Sequence, residues 1–147
     1  MAQLFFKYGT MNAGKSIDLL KTAHNYEEQG KNVVIFTSAL DTRAEVGKVS
    51  SRIGLEADAI PIQPHSHPTG LLDYNSRKSG RINCVLIDEA QFLTEEQVVE
   101  IANIIVDDWN IPVICFGLKT DFQGKLFTGS KALIENADKL EEIKTVC

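Results

Sequence analysis

Gly9-Thr10-Met11-Asn12-Ala13-Gly14-Lys15-Ser16 is the stretch on which the reading of this chain turns. It matches G-x-x-x-x-G-K-[ST], and its surroundings are those the mechanism needs. Gln3 to Tyr8 before it reads as a strand, and Lys15 to Gln29 after it reads as a helix, with Ile17, Leu20 and His24 at helical spacing and Gly30 as a stop. A loop of this kind points backbone N–H groups at phosphate oxygens while the helix macrodipole adds positive potential at the same place. Lys15 then reaches the β- and γ-phosphates, and the Ser16 hydroxyl ligates Mg²⁺. Gly9 to Ser16 are therefore the candidate ATP-binding loop.

Outward from the loop, Asn32 to Thr37, Asn83 to Ile87 and Pro112 to Phe116 are short apolar runs rich in Val and Ile, the pattern of strands covered on both faces. Glu95 to Trp109 reads as a helix that buries Val98, Ala102 and Ile105. Thr94 opens it, with Gln97 three positions on, a capping-box pattern. Strands alternating with helices predict an α/β fold: a P-loop core with a parallel, RecA-like sheet flanked by helices, nucleotide at the carboxyl ends of its strands. Between Ser38 and Gly80 the sequence suggests a strand over Asp58 to Ile62, a solvated loop holding His65 and His67, and a short helix around Leu71. From Ser130 a short helix is expected, then a last strand near Glu142 to Val146.

The second half of a phosphate site is a carboxylate on a neighbouring strand end. Cys84-Val85-Leu86-Ile87-Asp88-Glu89 supplies it as a Walker-B pattern, an apolar run that stops in two acids. Asp88 is placed to hold Mg²⁺, which leaves Glu89 for proton chemistry.

Composition bounds the function. The 147 residues are 44% hydrophobic and 24% charged, which fits one ordinary domain, and the net charge of -5 lacks the basic footprint of a nucleic-acid-binding domain. No apolar run of about 18 residues offers a membrane span, and the N-terminus has no secretory signal pattern, so a cytoplasmic protein is expected. Of the three cysteines, Cys84 and Cys115 sit inside apolar runs and indicate no disulfide framework. A phosphate loop alone leaves a small-molecule kinase, a macromolecule-stimulated ATPase and a non-catalytic nucleotide-binding module open. Asp88-Glu89-Ala90-Gln91 is similar to the D-E-x-x box of helicases, but those enzymes need a second core domain and a basic track, and neither fits in these 147 residues. No N-K-x-D guanine signature is present.

Several separated motifs, in order from Gln3 to Cys147, resemble the tetrameric thymidine kinases, the cellular type that also occurs in bacteria. Tyr8 to Ser16 resembles that family's phosphate loop, with Met11 in place. Asp41-Thr42-Arg43 is similar to its D-x-R element, and Asp88-Glu89-Ala90-Gln91-Phe92 to its D-E-x-Q-F box. Gly117 to Phe127 resembles the segment carrying part of the thymine pocket. The resemblance implies transfer of the ATP γ-phosphoryl group to the 5′-hydroxyl of thymidine, giving thymidine monophosphate and ADP. Glu89 would be the catalytic base. Arg43 would neutralise charge on the transferred group, Asp41 would lie near the metal-phosphate shell, and Gln91 would contact nucleotide or nucleoside. Met11, Phe92, Leu118, Phe122 and Phe127 would meet the base.

The family also implies a homotetramer, feedback inhibition by thymidine triphosphate, and a small zinc-bearing module whose loop closes over the base. Cys147 resembles the first zinc ligand, and a structural zinc wants four. The expectation is an ATP-binding core over residues 1–147 with zinc and lid beyond it, so that these residues alone bind phosphate and turn over thymidine poorly.

Overall fold

The computed structural model describes residues 1–10, 14–38, 48–50 and 56–144. Strand β1 (Leu4–Gly9) leads into helix α1 (Lys15–Glu28) and strand β2 (Val33–Ser38). Strands β3 (Lys48–Ser50), β4 (Glu56–Asp58) and β5 (Ile60–Ile62) precede helix α2 (Pro68–Ser79). Strand β6 (Cys84–Asp88), a 3₁₀ turn (Ala90–Phe92) and helix α3 (Glu95–Glu100) follow, and α3 runs on as a π-helix over Ile101–Asp108. Strand β7 (Val113–Leu118), helix α4 (Thr128–Asn136) and strand β8 (Lys139–Glu142) complete the described chain.

Six strands form one sheet in the order β5-β2-β6-β7-β1-β8, every neighbouring pair parallel; β3 and β4 pair antiparallel as a separate ribbon. The continuous apolar runs follow from burial on both faces. Val34, Phe36, Val85, Ile87, Val113 and Cys115 face the core beneath α3, its π-helical extension and α4. Ile35, Cys84, Leu86 and Phe116 alternate with them and face α1. The chain leaves β1 for β2 on one side and returns through β7 and β8 to flank β1 on both. That reversal puts a topological switch point at the carboxyl end of β1, the place where ligands bind in open α/β sheets.

The fold class is the one expected, and the four main strands lie within a residue or two of their predicted places. Several details differ. The buried stripe of α1 is Leu19, Leu20 and Ala23, while His24 is exposed and pairs with Glu28 at 2.9 Å, since the sheet needs only a narrow contact from this helix. The segment read as a strand over Asp58 to Ile62 is divided between β4 and β5, which belong to different sheets. The helix around Leu71 runs twelve residues from Pro68, a proline being favoured in a first helical turn. The last strand begins at Lys139 rather than near Glu142, because Asp138 already joins β1: its amide donates to the Leu4 carbonyl and its Oδ2 accepts from the Leu4 amide, both at 2.8 Å. The Thr94 capping box forms, Thr94 Oγ1 accepting from the Gln97 amide at 3.1 Å and Gln97 Oε1 from the Thr94 amide at 3.0 Å.

Candidate active site

The turn into α1 starts at Gly14, whose φ of 86° lies in the left-handed region that favours glycine; among the described residues nothing stands within 4 Å of an added Cβ. The Gly14 carbonyl accepts the first helical bond, from the Asp18 amide at 3.0 Å. Lys15 Nζ donates to the Thr10 carbonyl at 2.6 Å. Burial holds its pKa below the ordinary lysine value, with the Glu89 and Asp88 carboxylates partly opposing that shift. Lys15 thus lies within electrostatic reach of both Asp88 and Glu89. Met11, Asn12 and Ala13 lie outside the described residues, as do Asp41, Arg43 and Cys147.

The acids arrive from β6, which is not the strand beside β1. β7 lies between them, pairing Gly9 with Leu118 on one side and Ile87 with Cys115 on the other. The expectation of a neighbouring strand end is corrected to this extent: β1 and β6 are one strand apart, with β7 between them. Asp88 is buried at the end of β6, level with Thr37 of β2. The chain then turns sharply, with Glu89 at φ 55°, and enters the 3₁₀ turn. A left-handed angle at a non-glycine residue costs roughly 1–3 kcal/mol and persists where surrounding contacts determine it.

Those contacts come from Gln91 and two glycines. Gln91 is 2% exposed; its Nε2 donates to Glu89 Oε2 at 2.6 Å, and its Oε1 accepts from the Leu118 amide at 3.1 Å. A Cβ on Gly117 would stand 2.6 Å from Gln91 Oε1 and 3.0 Å from the Gln91 nitrogen. On Gly129 it would run into the Ala90 carbonyl oxygen and lie 2.8 Å from that of Gln91. Ser130 Oγ donates to the Leu118 carbonyl, so Leu118 is held through both its backbone groups.

Beyond Leu118 the chain makes a closed turn. Asp121 Oδ1 accepts from the amides of Gln123 at 2.8 Å and Lys125 at 3.1 Å, and Thr120 bridges to Leu126. Phe92 and Phe127 meet edge to face with ring centroids 5.6 Å apart. Phe122 stands apart from them, 96% exposed.

Comparison with known proteins decides what this site belongs to. Residues 2–147 match the protein family described as thymidine kinase. Over all 147 residues the chain is 57% identical to a thymidine kinase of Lactococcus lactis, 60% to one of Enterococcus faecalis and 59% to one of Streptococcus thermophilus, spanning 76%, 74% and 73% of their lengths. The chain belongs to the thymidine kinase family. Members are ATP-dependent nucleoside kinases, so the non-catalytic module and the macromolecule-stimulated ATPase are not favoured. Among solved structures, the chain resembles the Pif1 helicase of Candida albicans (TM-score 0.54, 16% identity, 99% of this chain and 36% of that one) and a DNA replication initiation factor (0.51, 16%, 98% and 40%). At such identities the likeness concerns the fold alone.

In this thymidine kinase family member the structure brings Lys15, Asp88 and Glu89 together and sets Phe92 against Phe127. Leu118 is half-buried at the end of β7. Gln91, expected at the nucleotide, has its amide engaged at both ends within the protein. Two lysine contacts around β1 lie outside the sequence-based expectation. Lys7 on β1 reaches Asp18 of α1 and Glu141 of β8, each at 3.5 Å, beside the Phe116 ring. Lys119 stacks over Tyr8 at 5.4 Å from the ring centroid. A lysine in the middle of an otherwise apolar strand is the available signal for Lys7; Lys119 gives none.

Proposed function

We propose that this member of the thymidine kinase family transfers the γ-phosphoryl group of ATP to the 5′-hydroxyl of thymidine, with Glu89 accepting the hydroxyl proton. The carrying observation is the Asp88-Glu89 step, one acid buried at the strand end and the next in a left-handed turn, both within electrostatic reach of Lys15. The loop amides and Lys15 would hold the β- and γ-phosphates. The 5′-oxygen, losing its proton to Glu89, attacks phosphorus in line, the bond to the β-phosphate oxygen breaks, and ADP leaves. Holding the two reactants in that line supplies much of the rate.

Mg²⁺ fits the donor set here, since it takes one or two protein oxygens and draws the rest from phosphates and water. Ser16 and Asp88 are the residues that would hold it, and its contribution is to neutralise charge on the phosphates. Arg43 is assigned to the transferred group and Asp41 to the metal-phosphate shell. Met11, Phe92, Leu118, Phe122 and Phe127 are assigned to the base, where a pyrimidine asks for flat apolar surfaces.

Zinc does not fit what is described. No group of three or more His, Cys, Asp or Glu among the described residues could hold a metal ion, and no step above uses one. We place the family's zinc and its nucleoside lid in a module outside these residues, with Cys147 as a candidate ligand. A homotetramer, feedback inhibition by thymidine triphosphate and a cytoplasmic location complete the proposal on the strength of the family resemblance. Among the described residues no helix is long and apolar enough to cross a membrane. Glu89→Gln in the full-length protein tests the central assignment: turnover should vanish while ATP binding persists, and retained turnover removes Glu89 from the role.

A further inference from the structure

We propose that Gln91 is a positioning residue that locks the proton acceptor Glu89 to the strand end carrying Leu118, and so sets the distance between the reacting end of the nucleoside site and its base-binding end. The inference rests on the reading of Glu89 given above. A glutamine amide has a donor end and an acceptor end, and here both are used within the protein: Nε2 on Glu89 Oε2 at 2.6 Å, Oε1 on the Leu118 amide at 3.1 Å. The side chain is 2% exposed, which strengthens both bonds and makes either costly to leave unmade.

Its neighbours are shaped to it. Gly117 gives the amide room, since a Cβ there would stand 2.6 Å from Oε1. Gly129 lets α4 press on the backbone of Ala90 and Gln91, and Ser130 holds the Leu118 carbonyl while Gln91 holds its amide. Leu118 is thus fixed in two directions, and Glu89 is fixed relative to Leu118 through one rigid planar group. A carboxylate that has to meet a hydroxyl in line with a phosphate gains from this: a misplacement of about 1 Å can cost roughly a hundredfold in rate.

The test uses the full-length protein and three variants beside the parent. In Gln91→Met, which keeps size and removes both hydrogen bonds, kcat should fall by about 10- to 100-fold, with thymidine KM and ATP affinity changing far less. A kcat within about twofold of the parent overturns the proposal. Gln91→Asn keeps the test decisive if the methionine variant does not fold. It retains both ends of the amide but is one methylene too short to reach Glu89 and the Leu118 amide at once, so kcat should fall by about 10-fold with thymidine KM nearly unchanged. An unchanged kcat in Gln91→Asn overturns the proposal. Glu89→Gln, run alongside, separates two kinds of failure. Retained turnover there removes the proton-acceptor reading itself, whereas lost turnover there with an unaffected Gln91→Met overturns this inference alone.

Discussion

Gly129→Ala should destabilise the protein although glycine-to-alanine changes in helices usually do the opposite. The residue sits in the first turn of α4, where the helical preference of alanine is worth at most about 0.5–1 kcal/mol. Against that, the new Cβ would collide with the Ala90 carbonyl oxygen and lie 2.8 Å and 2.9 Å from the Gln91 oxygen and carbonyl carbon. These are backbone atoms of a tight turn and cannot rotate away, so helix or turn must move. Overpacking of this kind costs about 1–3 kcal/mol, leaving a net loss of up to about 2.5 kcal/mol. At this chain length that lowers Tm by up to about 10 °C. The displaced turn carries Glu89 and Gln91, so kcat should fall as well. Gly70→Ala is the matched control. Gly70 also lies near a helix start, in α2, but nothing stands within 4 Å of its added Cβ, so Tm should rise by about 1–4 °C. Differential scanning calorimetry of both variants with steady-state kinetics decides the matter. A Gly129→Ala protein at or above the parent Tm refutes the packing of α4 on the 3₁₀ turn.

Lys15→Met should abolish the rise in Tm that ATP produces. Because burial lowers the Lys15 pKa in the folded state, folding is opposed by its charge below that value, and the opposition fades as pH rises from the folded pKa towards 10.5. The nucleotide-free variant should therefore melt higher than the parent at neutral pH, and an unchanged or lower melt would mean that Lys15 carries no such burden. Thr94→Ala removes the capping box and should cost about 1 kcal/mol, read as a shift in the urea midpoint; no shift would show that α3 is held by its packing alone. Burial pushes the Cys84 thiol up to about 11 and the Cys115 thiol higher still. Peptide mapping after iodoacetamide treatment of native protein near neutral pH should find neither alkylated, and rapid alkylation of Cys115 would contradict its burial in the sheet.

Legibility in the sequence follows how local the physics is. The phosphate loop, the Asp88-Glu89 pair and the Thr94 capping box are each specified by residues a few positions apart, so the residue types and their spacing suffice to recognise them. The strands are legible because burial on both faces leaves unbroken Val and Ile runs. What escapes is the placement of one element against another. That β7 separates β1 from β6 depends on crossovers that no local pattern encodes. Gln91 is a nucleotide or nucleoside contact only by family resemblance; its engagement with Leu118, 27 positions away, exists only once β7 is laid beside β6. Gly117 and Gly129 permit close packing that no local pattern announces.

The most direct test of the account is phosphoryl transfer from ATP to a panel of nucleosides, measured with the full-length protein and its Glu89→Gln variant, each checked for ATP binding. Thymidine phosphorylated by the parent, and not by a variant that still binds ATP, is the predicted result. A parent that binds ATP and phosphorylates no thymidine, or a variant that matches the parent's turnover, would contradict it.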